Sequence, residues 1–137
     1  MNALGKVTEL VQFNTVSRDS NLPLIDHIAN YLDDLGIRSH RVESADGKKS
    51  NLYASVGPNE PGGVVLSGHT DVVPTDGQDW HTDPFAPEVK ENRLYGRGTC
   101  DMKGFIGTAL AVVPEMDSLI KPIHFALSYD EEVGCKG

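Results

Sequence analysis

Five residues in three separate segments carry side chains that could hold a metal ion and move a proton beside it: His69 and Asp71 in SGHTDVVP, Asp101 in GRGTCDMKG, and Glu131 and Glu132 in SYDEE. Imidazole with carboxylates, and no thiolates, suits Zn²⁺ first, with Co²⁺ or Mn²⁺ as substitutes. His69 and Asp71 stand two apart, so in extended chain both side chains lie on the same side. That spacing lets Asp71 accept the second ring N–H of a ligating His69, which fixes the tautomer. Asp101 is the natural bridge, since one carboxylate can give an oxygen to each of two cations roughly 3.5 to 4 Å apart. Glu131 and Glu132 are adjacent and point different ways, so one can bind metal while the other takes a proton from water.

Each signal alone is weak. A His before Thr-Asp is more often structural or solvated, and an acidic doublet after a strand is more often a loop. The weight lies in three independent element ends carrying ligand-type residues. GRGTCDMKG also invites two phosphate readings, and both fail: Asp101 occupies the third glycine position of a GxGxxG pattern, and Lys103-Gly104 reverses the Walker order.

The elements that must position these residues follow from hydrophobic spacing. Leu4, Val7, Leu10 and Val11 predict a helix over 3–13. Leu24, Ile25, Ile28, Tyr31, Leu32 and Leu35 predict a second over 21–35, with Asn21 as N-cap, Pro23 in the first turn and Gly36 as the stop. Strands are expected at 37–44, 51–57, 63–69, 91–96 and 121–129, and a helix from Met102 to about Met116. The uninterrupted apolar run GVVLSGH suits a central strand covered on both faces. Residues 70–88, rich in Asp, Gly and Pro, read as a long loop of the functional kind. Helices alternating with apolar strands predict an α/β fold, a three-layer α/β/α sandwich around a largely parallel mixed sheet. Ligands in such sheets sit beyond the carboxyl ends of the strands, where the three acidic stations fall.

Composition excludes several functions. A formal charge of −8 with no dense block of the twelve Lys and Arg argues against nucleic acid or an anionic membrane as partner. No apolar run approaches a membrane span, and MNALGKVTEL lacks the layout of a secretion signal, so a cytoplasmic location is expected. Cys100 and Cys135 follow no CxxC pattern and are expected as reduced thiols.

SGHTDVVP (67–74), Trp80 with DPF (83–85), LYGRGTCDMKG (94–104) and SYDEE (128–132) together resemble the zinc-dependent M20 metallopeptidase and amidohydrolase family. LVQFNTVSRDSNLPLI (10–25), DGKKSNLYASVGP (46–58) and Thr99-Cys100 with Phe105 narrow the resemblance to the subgroup that deacetylates N-acetylornithine. It implies a truncated zinc-peptidase fold with two Zn²⁺ per active site, Co²⁺ being possible: His69 on the first metal, Asp101 bridging, Glu132 on the second. It further implies Glu131 as general base, Asp71 as holder of the His69 ring, and a cis peptide at Asp101-Met102. The implied activity is removal of the acetyl group from N2-acetyl-L-ornithine, with the succinyl group of N-succinyl-diaminopimelate, or other acylated amino acids and dipeptides, as the alternative. The partner is then a small-molecule acylated amino acid. A different class of reading is a metal-binding or interaction module without catalysis.

The resemblance also implies a longer protein. Residues 1–137 would be the N-terminal part of the metal-dependent catalytic domain, with a further acidic ligand, a distant His, and a dimerisation and lid domain lying elsewhere in a homodimeric whole. Each cation would keep two protein ligands here, where catalytic zinc normally has three, so this segment alone is expected to bind metal weakly and hydrolyse little. An uncovered sheet edge or apolar face is expected as well.

Of the remaining residues, His27 and His40 read as surface histidines and His124 as a satisfied histidine in an apolar strand. His81, beside Trp80, reads as a solvated loop residue with the substrate entrance as its alternative. Cys100 reads as a small buried thiol, and Trp80, Pro84 and Phe85 as anchors of the long loop. Arg97 and Lys103 are expected to balance the acidic site.

Overall fold

The computed structural model describes residues 2–137. Helix α1 spans Ala3–Val11, and the Asn2 side chain caps it by accepting the Gly5 N–H at 2.9 Å. Helix α2 spans Leu22–Asp34 and buries Leu24, Ile25, Ile28 and Leu32 completely. Each such side chain removed from water contributes about 1.5–3 kcal/mol, which is what holds the helix to the sheet. Gly36 adopts φ +74 and lets the Ile37 N–H return to the Leu32 carbonyl, the expected stop. Asn21 departs from expectation. It sits at the cap position but makes no side-chain cap bond; the Ser20 hydroxyl accepts the Leu22 N–H instead.

Strands β1 (Ser39–Glu43), β2 (Ser50–Val56), β3 (Val64–His69) and β6 (Ile123–Ser128) form one mixed sheet in the order β1-β2-β6-β3. β1 pairs antiparallel to β2 and β2 antiparallel to β6, while β3 runs parallel to β6. The fold is mixed α/β, as the pattern predicts, with the parallel pairing confined to the two strands that carry the site. Alternation on β2 is strict: Ser50, Leu52, Ala54 and Val56 are buried and Tyr53 and Ser55 exposed. The buried row joins Phe125 and Leu127 of β6, the α2 stripe, Leu10 of α1, and Ile106 and Leu110 of α3 (Lys103–Val112) in one core. All three helices therefore pack on one face. Among the described residues the other face is bare, with Val42, Tyr53 and Val65 exposed.

Three expectations are corrected. β3 is an edge strand of this sheet, and its first residues are more than half exposed (Val64 59%, Val65 57%): Val65 faces outward with Ser67, and Val64, though on the side of Leu66 and Gly68, is left uncovered at the start of the strand. The strand at 91–96 is one arm of a hairpin, β4 (Glu88–Lys90) with β5 (Arg93–Tyr95), turned by Glu91 and Asn92 at φ 50 and 60. Two successive positive φ values are what a tight hairpin turn demands, and Glu-Asn is an uncommon pair for it. The third helix is shorter than expected and ends in a 3-10 turn, Val113–Glu115, where Pro114 lacks the N–H to continue it. Among the described residues no helix is long and apolar enough to cross a membrane.

Candidate metal centre

Parallel pairing of β3 with β6 sets His69 opposite Ser128, so both strands deliver their carboxyl ends to the same edge of the sheet. Thr70 extends the pairing: its N–H and its hydroxyl both reach the Ser128 carbonyl, at 2.8 and 2.9 Å. The third contributor enters from α3. A Cβ on Gly68 would already stand 3.2 Å from Met102 and Ile106, so glycine lets the entrance of α3 approach the end of β3. Gly104 is stricter and admits no side chain, since a Cβ there would lie 2.0 Å from the Thr99 carbonyl. The loop before α3 is thus wound tightly enough to bring Asp101 over His69, and the Asp101-Met102 peptide is cis, as the resemblance implies.

The expected ligands meet. Donor atoms of His69, Asp101 and Glu132 all lie within 4.8 Å of one another, and His69 Nε2 is 3.0 Å from Asp101 Oδ1. Glu131 stands beside them, its Oε2 3.6 Å from the same ring nitrogen. The other ring nitrogen, Nδ1, lies 2.9 Å from the Asp71 backbone carbonyl and 3.5 Å from its carboxylate. The ring is therefore oriented chiefly by the Asp71 main chain, and Nε2 is left facing the carboxylates.

The Asp71 carboxylate does something the sequence reading did not anticipate. Buried to 3% exposure, it accepts the Ser17 hydroxyl at 2.6 Å and the backbone N–H groups of Glu131 and Glu132 at 3.1 and 3.2 Å. It is the peg on which the acidic turn hangs. Ser17 arrives through a parallel bridge between Val16 and Val72, whose neighbours Thr15 and Ser17 exchange backbone hydrogen bonds with Val72. Asn21, free of capping duty, joins Ser50 and Thr70 in the same buried polar layer.

The electrostatics favour a cation. Glu132 is pushed above the ordinary carboxylate value by partial burial and then by the neighbouring Asp101, Glu131 and Asp71, with His69 opposing. Burial draws the His69 imidazole down, but its bonds to the Asp71 carbonyl and Asp101, and the charges of Asp71 and Glu131, leave it raised overall. Carboxylates crowded around one imidazole, with a donor set of one nitrogen and two oxygens, fit a divalent ion of the zinc type.

The two basic residues expected to balance this charge do not. Lys103 is fully buried and donates to the Phe13 carbonyl, and burial alone lowers it to about 7. Arg97 donates to Gln78 and lies 5.2 Å over the Trp80 ring. The cation beside the acidic turn is Lys49, which pairs with Asp130. A separation of 81 residues leaves no local signal for that pair.

His81 is exposed and lines, with Trp80, Lys90 and Tyr95, a cavity of about 380 Å³ that none of the five site residues borders. His124 is satisfied as expected: its Nδ1 faces the Ser55 and Tyr53 hydroxyls at 2.7 and 2.8 Å and its Nε2 the Gly62 carbonyl at 3.2 Å. His40 is exposed as expected, whereas His27 is half-buried, its ring tilted at 43° to that of Phe13 with centroids 5.1 Å apart. Cys100, on the loop that enters α3, is exposed rather than buried; Cys135 is also exposed and free.

Residues 65–137 match the sequence profile of peptidase family M20/M25/M40. Acetylornithine deacetylase of Pasteurella multocida (strain Pm70) is 40% identical over 121 residues, covering 86% of this chain and 31% of that protein. Succinyl-diaminopimelate desuccinylase of Anaplasma marginale (strain Florida) is 39% identical over 125 residues, 90% of this chain and 32% of that one. This chain therefore spans about a third of the length of these curated relatives. Its fold superposes on an M20 family metallo-carboxypeptidase from Sulfolobus solfataricus with a TM-score of 0.84 at 21% identity, over 98% of this chain and 32% of that one. A family of metallopeptidases and amidohydrolases calls for a divalent metal, and the geometry at His69, Asp101 and Glu132 offers one a place. The chain belongs to peptidase family M20/M25/M40.

Proposed function

We propose that this chain is the N-terminal part of the catalytic domain of a metal-dependent amide hydrolase that removes the acetyl group from N2-acetyl-L-ornithine. The observation that carries the reading is the convergence of His69, Asp101 and Glu132 with Glu131 at their side. Asp101 and His69 would hold one zinc ion, and Asp101 and Glu132 a second, with cobalt as a substitute. When bound, the metal polarises the amide carbonyl and makes water acidic enough to attack near neutral pH.

The chain's own residues supply the rest. Glu131, close to the cluster and held by its backbone N–H on Asp71, takes the proton from the attacking water. It returns that proton to the nitrogen of the leaving amine as the C–N bond breaks, so acetate and the free amine result. The Asp71 carbonyl keeps the His69 ring turned so that Nε2, not Nδ1, faces the site. Completion of the ligand set, the acyl pocket and a homodimer interface belong to the remainder of a longer protein, consistent with relatives about three times as long. Action in the cytosol fits two exposed, unpaired thiols.

The test is hydrolysis of N2-acetyl-L-ornithine and of N-succinyl-diaminopimelate by the full-length protein, with Glu131→Ala beside it. Loss of turnover by roughly 10²–10⁴-fold with metal retained supports Glu131 as the base. Metal binding without hydrolysis of any acylated amino acid would favour a non-catalytic module. The desuccinylase reading is the one alternative with a specific support, the relative at 39% identity.

A further inference from the structure

Around the acidic turn the hydrogen bonds close into a ring. The Asp71 carboxylate holds the N–H groups of Glu131 and Glu132 and takes the Ser17 hydroxyl. The Ser17 carbonyl accepts from the Lys49 ammonium at 2.5 Å, and the same ammonium pairs with Asp130, the residue immediately before Glu131. Lys49 and Asp130 side chains are each 17% exposed, so the pair is sheltered from solvent screening. Ser17 is buried, and its own N–H is anchored on the Val72 carbonyl at 3.2 Å.

Asp130 sits in the left-handed region at φ 56, a conformation that aspartate tolerates but that the chain must hold in place. Beyond it the turn presents two more carboxylates in succession, and like charges so close repel. The contact with Lys49 offsets that repulsion at one end of the turn, and Asp71 with Ser17 fixes the other. Ser17, in the loop between α1 and α2, and Lys49, in the turn before β2, spend their side-chain contacts on Asp71, on Asp130 and on the Ser17 carbonyl rather than on His69, Asp101 or Glu132.

We propose that Ser17 and Lys49 are positioning residues: through Asp71 and Asp130 they set where the Glu131 and Glu132 carboxylates stand. In assigning those carboxylates to catalysis and metal, the inference rests on the function proposed above. Its first test does not.

Amide hydrogen exchange in the metal-free chain reads the ring directly. In Lys49→Met and in Ser17→Ala, the Glu131 and Glu132 amides should exchange about 10-fold faster while the β6 core amides keep wild-type rates, a local opening rather than a global one. Cobalt affinity should fall about 10-fold in both, the scale of a lost supporting contact, and Lys49→Arg should regain most of it. In the full-length protein kcat should drop with KM little changed. Wild-type exchange and affinity in both variants would overturn the proposal, as would uniform acceleration of every amide, which marks a role in stability alone. If Lys49→Met does not fold, Ser17→Ala, which loses one hydroxyl, decides. A faster-exchanging turn in a protein that hydrolyses no acylated amino acid would sink the proposed function and leave the ring standing.

Discussion

Asp71 and Asp101 are the same residue type, both within reach of one imidazole, and they live in opposite surroundings. The Asp71 side chain is 3% exposed, with three donors on its carboxylate; that of Asp101 is 73% exposed and, among the described residues, its one hydrogen-bond partner is His69 Nε2. One half of the site is finished by the protein itself. The other half presents open lone pairs to whatever cation arrives. The difference separates a carboxylate that supports the fold from one that stands open to an ion, a distinction residue type alone does not make.

The comparison can be broken most severely at Asp71. Asp71→Ala strands the Ser17 hydroxyl and two backbone N–H groups in a buried place and should cost about 3 kcal/mol, seen as a fall in the denaturation midpoint. An unperturbed midpoint would mean the peg is dispensable. Metal comes next: zinc at a hundred times its dissociation constant should raise stability by about 2.7 kcal/mol, reversed by a chelator and missing in Asp101→Ala.

Lys103 gives a pH test of a third kind of burial. Its folded value, lowered to about 7 from 10.5, means the unfolded chain binds more protons between those limits. Stability should therefore rise with pH across that window, by up to about 1.4 kcal/mol per pH unit, and the slope should vanish in Lys103→Met. Denaturant titrations of the metal-free chain along the window measure it; a flat wild-type profile would show the ammonium to be solvated. The smallest effect belongs to Asp101→Ala without metal. A side chain this exposed should change stability by less than about 0.5 kcal/mol, so a larger loss would erase the contrast with Asp71.

The candidate cluster was legible in the sequence because each member follows a strong local signal: an apolar strand run before His69 and before Glu132, and a glycine-rich helix entrance around Asp101. The supports were not. Lys49 meets Asp130 and Ser17 meets Asp71 only after the sheet has brought distant turns together. Asn21 looked like a cap because its type and place suit one, yet the Ser50 backbone and Thr70 offer its amide better-buried partners. GVVLSGH reads as a strand covered on both faces, but periodicity reports only that a strand is apolar, not what lies beside it; here its outer side is open. The hairpin at Glu88–Tyr95 escaped because its turn uses Glu-Asn where Asn-Gly would have announced it.

The central claim of the proposed function is that His69, Asp101 and Glu132 hold the divalent metal, with Asp101 shared between two ions, while Glu131 stands beside them as a non-ligand. Calorimetric titration of the chain with zinc tests this directly, run alongside Asp101→Ala, Glu132→Ala and Glu131→Gln. Saturable binding that disappears in the first two variants and survives in the third is the predicted result. Binding that is indifferent to Asp101 and Glu132, or lost equally in Glu131→Gln, would contradict it.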